Sequence, residues 1–104
     1  LIYMNKDWKL EYSGQFDLCD LENKTCIKRI NPNFNRCAIF NTSSKSIHGH
    51  PEPLNLPEGM RRQSIAIYYY TKNTNGDQDF EGHKPHCTLW HDKKDFDYTE
   101  AKIV

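Results

Sequence analysis

No two of the four cysteines form a C-x-x-C pair. Cys19, Cys26, Cys37 and Cys87 stand singly, which excludes a zinc knuckle or a thioredoxin-type motif. Three of them lie in apolar, strand-like runs. The expected state is reduced, partly buried thiols in a cytoplasmic protein, with a disulfide between two of them left open. No apolar run approaches the ~20 residues of a transmembrane helix, and no signal-peptide pattern is visible. An excess of one charge is also lacking: 14 basic residues face 14 acidic ones. That argues against a general nucleic-acid or anionic-membrane surface, since both require a basic excess. Internal repeats and amphipathic helical patterns are absent. So is an initiator methionine. The chain opens LIYMN, as if inside a strand, and the expectation is a fragment.

The 104 residues allow one domain. A chain this short buries only about two-thirds of its unfolded surface. Hydrophobic residues make up 37% and the mean hydropathy is −0.88, polar for a self-contained fold. Aromatics reach 12%, six of them tyrosine, so the composition is not that of a disordered chain.

The punctuation is that of an all-β domain. Strands are expected at Leu1–Asn5, Gln15–Cys19, Thr25–Ile30, Arg36–Asn41, Ile47–Pro51 and Arg61–Thr71. Arg36–Asn41 reads as the best-defined buried strand and Arg61–Thr71 as the longest. A proline-rich excursion, PEPLNLPEG, excludes a helix between the last two. KNTNGDQDFEGHKPH reads as a polar loop, CTLWH as a last short strand, and the charged tail from Asp92 as mobile. Many short strands at this spacing indicate a sandwich, barrel or jelly roll.

The long strand has two faces. Arg62, Ser64, Ala66 and Tyr68 alternate with Gln63, Ile65, Ile67 and Tyr69. The isoleucine face reads as core. The other places a cation, a hydroxyl and a methyl in succession, a volume into which an anion fits; a polar solvent face of an edge strand explains it equally well. His48 and His50 form an H-x-H, which shares one face when extended, and neutral imidazole is the commonest metal ligand. A guanidinium such as that of Arg62 holds a carboxylate bidentately and keeps its charge when partly buried.

The segment FNTSSKSIHGHPEPLNLPEGMRRQSIAIYYYT resembles the C-terminal part of the catalytic double-stranded β-helix of Fe(II)/2-oxoglutarate-dependent dioxygenases, in their prolyl-hydroxylase-like branch. LIYMNKDWKLEYSGQFDLCD and NPNFNRCAIFNTS resemble that family's preceding segments, so the likeness runs from Leu1 to about Trp90. The resemblance implies that His48 is the distal ligand of a two-histidine, one-carboxylate iron site. It also implies that Arg62, with Ser64 beside it, binds the far carboxylate of 2-oxoglutarate. Ala66 and Tyr68 would line the same pocket and His50 its mouth, while Arg61 departs to the other face. Such sites hold iron by three protein ligands with open positions opposite.

The family's H-x-D pair is not in this chain. Gln15-Phe16-Asp17 is a decoy, with glutamine where the imidazole belongs. Residues 1–104 are therefore expected to be the C-terminal part of the oxygenase domain: an incomplete double-stranded β-helix, cupin-like and inactive alone. Fe(II) and 2-oxoglutarate are the parent family's cofactors; one protein ligand cannot hold Fe(II) usefully, and whether this chain binds any cofactor by itself is left open. Its unpaired strand edges imply a homodimer, and the prime substrate is unreadable. Three readings compete. One is a cupin-type metal module using His48, His50 and Glu52 or Glu58 with Gly59. Another is a β-rich interaction domain without chemistry. The third is a zinc site from His83, His86, Cys87 and His91.

Overall fold

The computed structural model describes residues 1–43, 45–70 and 90–104. Among them every regular element is a strand or a single 3-10 turn, and the sheets stay open. The strands are β1 (Ile2–Tyr3), β2 (Phe16–Asp20), β3 (Thr25–Ile30), β4 (Ser46–Gly49), β5 (Ser64–Ile65) and β6 (Lys102–Ile103). One sheet has the order β4-β2-β3-β6; the other is the pair β1-β5. All pairings are antiparallel except β3 with β6.

The β2–β3 hairpin turns because Asp20 accepts from Glu22 N at 2.9 Å and from the Asn23 amide, while Lys24 takes a positive φ of 54°. Alternation along β2 then builds two cores, one on each side of the sheet. Phe16 and Leu18 pack with Tyr3, Ala38, Ile30 and Phe40. Cys19 packs with Cys26, Ile47, Phe96 and Tyr98. A register shift between Leu18 and Cys19 brings Cys19 opposite Cys26.

Those two thiols are joined in a cross-strand disulfide, which corrects the expectation of reduced cysteines; Cys37 is free and exposed. Thr25–Ile30 lies as expected, Gln15–Cys19 moves by one residue to Phe16–Asp20, Ile47–Pro51 becomes Ser46–Gly49, and Leu1–Asn5 shortens to Ile2–Tyr3. Two expectations fail for one reason. Arg36–Asn41 contributes only a bridge from Cys37 to Ile2, and Ile39 is 89% exposed. Arg61–Thr71 is strand only at Ser64–Ile65, and Ile65 and Ile67 are half-exposed rather than core. Both segments flank β1, which offers two residues to pair with, and β-propensity without a partner makes no ladder. The tail is docked, not loose. Asp92 caps a 3-10 turn at Lys93–Asp95, Phe96 is buried, and β6 lies along β3. Three apolar anchors, Phe96, Tyr98 and Ala101, are hidden there among charges. The polar loop and most of CTLWH lie outside the described residues.

Candidate functional site

Arg62 enters the site from just before β5. Tyr3 pairs with Ser64 across β1 and β5, so Tyr3, Ser64 and, two residues earlier, Arg62 share one face. The Arg62 guanidinium carbon lies 5.2 Å from the centroid of the Tyr3 ring. Its Nε donates to Gly14 O at 2.8 Å. Gly14 has a φ of 74°, and a Cβ there would fall 2.6 Å from Leu54 Cδ2, 3.1 Å from Arg62 Cδ and 3.2 Å from Trp8 Cζ2. A glycine is what lets the arginine lie this close to the backbone. The approach is fixed from behind by buried Asn5, whose Oδ1 accepts from Gln63 N at 2.6 Å and whose Nδ2 donates to Pro32 O at 2.8 Å.

Two buried polar atoms here, Arg62 Nη2 and the Tyr3 hydroxyl, make no well-formed hydrogen bond, although the hydroxyl lies close enough to the guanidinium for a side-chain contact that acts on its pKa. A buried charged donor without a partner is costly. The guanidinium therefore has its Nε tied to Gly14 O and its Nη2 left over. Burial pushes the Tyr3 hydroxyl above the usual tyrosine range and outweighs the lowering effect of Arg62, so the phenol keeps its proton. Together they form a two-donor cradle suited to a carboxylate. Tyr3 was not singled out from the sequence. The available signal was a hydroxyl inside an otherwise apolar opening strand, LIYM.

His48 comes from β4, opposite Leu18 of β2. Its ring lies 4.7 Å from that of Phe40 and 5.6 Å from that of Phe16. One side of the ring meets these aromatics while the residue stays exposed at the strand edge, and that burial lowers its pKa. His50 is lowered too, by burial first and then by the charges of Arg62 and His48. His48, His50 and Arg62 thus surround one core, with Phe16 and Tyr3 packed between His48 and Arg62. Neutral imidazoles are competent metal ligands.

The ligand count stops there. Among the described residues no group of three histidine, cysteine or acidic side chains can hold a metal. Asp17 of the Q-F-D decoy sits on the other side of the sheet from Phe16 and His48, where its Oδ1 accepts from Arg29 Nε at 3.0 Å. Burial pushes its carboxyl up, against the lowering pull of Arg29 and Lys93. Glu52, the cupin-type candidate, is paired with Lys93 and lies 3.8 Å from Arg29 Nη2. Of the proposed zinc ligands, His83, His86 and Cys87 lie outside the described residues, and His91 stands edge-on to Phe96. Tyr68 is 75% exposed and Ala66 is also exposed, so neither closes a pocket. Arg61 turns away from Arg62 into an open cleft of about 380 Å³ shared with Met4, Lys6 and Met60.

The all-β architecture with open sheets, and a cationic cradle beside a histidine-bearing strand, define a class of protein. The family described as the 2OG-Fe(II) oxygenase superfamily matches residues 1–70. The chain belongs to that superfamily, whose cofactors are Fe(II) and 2-oxoglutarate. No match was found among curated proteins or among solved structures. Arg62 and Tyr3 bring together donor groups of the kind a carboxylate of 2-oxoglutarate would need. The described residues do not make up a set of iron ligands.

Proposed function

We propose that this chain supplies the cosubstrate-anchoring side of an Fe(II)- and 2-oxoglutarate-dependent hydroxylase site, of the prolyl-hydroxylase-like kind, within an incomplete double-stranded β-helix. Arg62 and Tyr3 hold the far carboxylate of 2-oxoglutarate, and Ser64, exposed on the same face, adds a second hydroxyl. His48 is the distal metal ligand. The other ligands must come from outside the described residues, so the described part alone is inactive. The chemistry of this family is supplied by iron and cosubstrate together; what these residues contribute is binding and orientation. The Arg62 fork fixes the dicarboxylate at its non-reacting end, Gly14 and Asn5 hold the fork in place, and the aromatic rings around His48 keep its imidazole oriented and neutral.

The buried Nη2 of Arg62, which makes no well-formed hydrogen bond, beside the Tyr3 hydroxyl carries this reading. Calorimetric titration of the chain with 2-oxoglutarate tests it. A charge-assisted hydrogen bond is worth about 1.5–3 kcal/mol, so Arg62→Ala should weaken binding by roughly 10-fold to 150-fold. Arg62→Lys should recover only part, because an ammonium lacks the fork. Unchanged affinity in Arg62→Ala would overturn the assignment. One observation favours a second reading, a binding domain without chemistry: the shortage of metal ligands. That reading predicts no saturable 2-oxoglutarate binding in the unmodified chain.

A further inference from the structure

The pair β1–β5 has a second face, turned away from the cosubstrate cradle. Tyr3 and Ser64 are partners on the cradle side. Met4 and Gln63 are the next step, where Met4 N donates to Gln63 O at 3.1 Å, and alternation sends their side chains the other way. Both line the open cleft of about 380 Å³, whose walls also include Lys6, Met60 and Arg61. Lys6 and Arg61 are exposed, and neither has an acidic partner among the described residues. Asp7 and Glu58 are the acids nearest to them in sequence, and neither lines the cleft. Two cations thus converge on one cleft without a counter-charge, and the positive potential there favours an anion. The rest of the wall is apolar and pliable. Met4 is exposed, and half-exposed Phe34 lies beneath the Lys6 ammonium, 5.3 Å from its ring centroid. Thioethers adapt to varied apolar partners.

We propose that this cleft is a docking site for an acidic peptide segment that also carries an apolar side chain. The proposal goes beyond the cosubstrate site and does not rest on it, since the two lie on opposite faces of the β1–β5 pair. Charge sets the sign of the occupant. Water-exposed ion pairs are weak singly, so two such cations do not retain a simple anion. Binding has to cover the methionines as well, which calls for an apolar group beside the carboxylate. The open shape sets the kind of occupant. Small-molecule sites bury most of their ligand, whereas this cleft leaves one side of its occupant in water. A peptide continues past the cleft and gains contact along the rim, at Phe34. Its carboxylates meet Lys6 and Arg61, and its apolar side chain lies against Met4 and Met60.

The test is fluorescence anisotropy of the full chain with a short fluorescein-labelled peptide of alternating glutamate and leucine. Binding should saturate and should weaken with added salt. A peptide of alternating glutamate and glycine should bind about tenfold more weakly or worse, because it leaves the methionines uncovered. One of alternating lysine and leucine should not bind. Lys6→Glu combined with Arg61→Glu should lose about tenfold or more in affinity for the glutamate–leucine peptide and should gain the lysine–leucine one, a reversal that only a folded variant can show. Excess 2-oxoglutarate should leave the peptide's affinity unchanged. Competition by it would place the peptide in the cradle and overturn the proposal. So would displacement by octanoate or inorganic phosphate at concentrations near the peptide's own, since a small acid would then be the occupant. Absence of saturable binding, salt-insensitive binding, equal binding of the glutamate–glycine peptide, or an unchanged preference in the double variant would each overturn it as well.

Discussion

Replacing Arg29 by methionine should destabilise the chain in a strongly pH-dependent way. Asp17 is 1% exposed. Its Oδ1 is held by Arg29 Nε at 3.0 Å and its Oδ2 has no partner. Methionine keeps part of the stem and removes the guanidinium, which lies 5.3 Å from the Tyr98 ring centroid and 3.8 Å from Glu52 Oε1; the main expected loss is that of stranding the buried Asp17 carboxylate. Breaking a buried ion pair from one side costs about 3–5 kcal/mol. The Arg29 side chain is 22% exposed, which places the expectation at the lower end, ~3 kcal/mol. With a urea m-value of about 1.5 kcal/mol/M, that is a midpoint shift of roughly 2 M at neutral pH. Burial already raises the folded carboxyl above its unfolded value, so protonation favours the fold. The stability it contributes is full below the unfolded pKa and is lost as pH rises through the folded one. Removing Arg29 raises the folded value further and deepens that loss. Most of the deficit should therefore vanish near pH ~4, and Asp17→Asn added to Arg29→Met should recover most of it at neutral pH. A neutral-pH midpoint within about 0.3 M of the parent, or a deficit of equal size at both pH values, would refute the reasoning.

Gly14→Ala should cost about 1–2 kcal/mol from its positive φ alone. More is lost as the new Cβ displaces Leu54 and Arg62, and 2-oxoglutarate affinity should fall in parallel; a urea midpoint equal to the parent's would contradict this. Mass spectrometry of the unreduced protein should find Cys19 and Cys26 in one linked peptide. Closing so short a loop contributes roughly 2–3 kcal/mol in the chain-entropy account, so reductant should lower the urea midpoint, and separate, alkylatable peptides would show that the hairpin is not bonded.

The sequence was most informative where neighbours in sequence are also partners in space. The Thr25–Ile30 strand and its turn follow from alternation and turn residues, because β2 and β3 pair locally. Arg36–Asn41 and Arg61–Thr71 were over-read. Their residues have the composition of strands, but strand structure depends on a partner, and β1 offers each only two residues. The tail was under-read, since Phe96, Tyr98 and Ala101 are spaced singly among charges and reveal their face only once β3 is beneath them. Arg62 and His48 were singled out as candidates from residue type and from the family resemblance, and the structure places both around the Phe16–Tyr3 core. Tyr3 was not, because its interest comes from a buried hydroxyl beside Arg62, far away in sequence. The pairing of Cys19 with Cys26 depended on a one-residue register shift that no periodicity announces.

Tyr3→Phe is the most direct test of the cosubstrate cradle, read as urea stability and 2-oxoglutarate affinity on the same sample. A buried hydroxyl whose one polar neighbour is Arg62, with no well-formed hydrogen bond between them, contributes little to the unliganded fold. The midpoint should hold or rise, while binding weakens by about 1 kcal/mol, roughly fivefold. A fall in stability of more than ~1 kcal/mol with unchanged 2-oxoglutarate affinity would mean that the hydroxyl serves the fold and that the cradle does not receive a carboxylate.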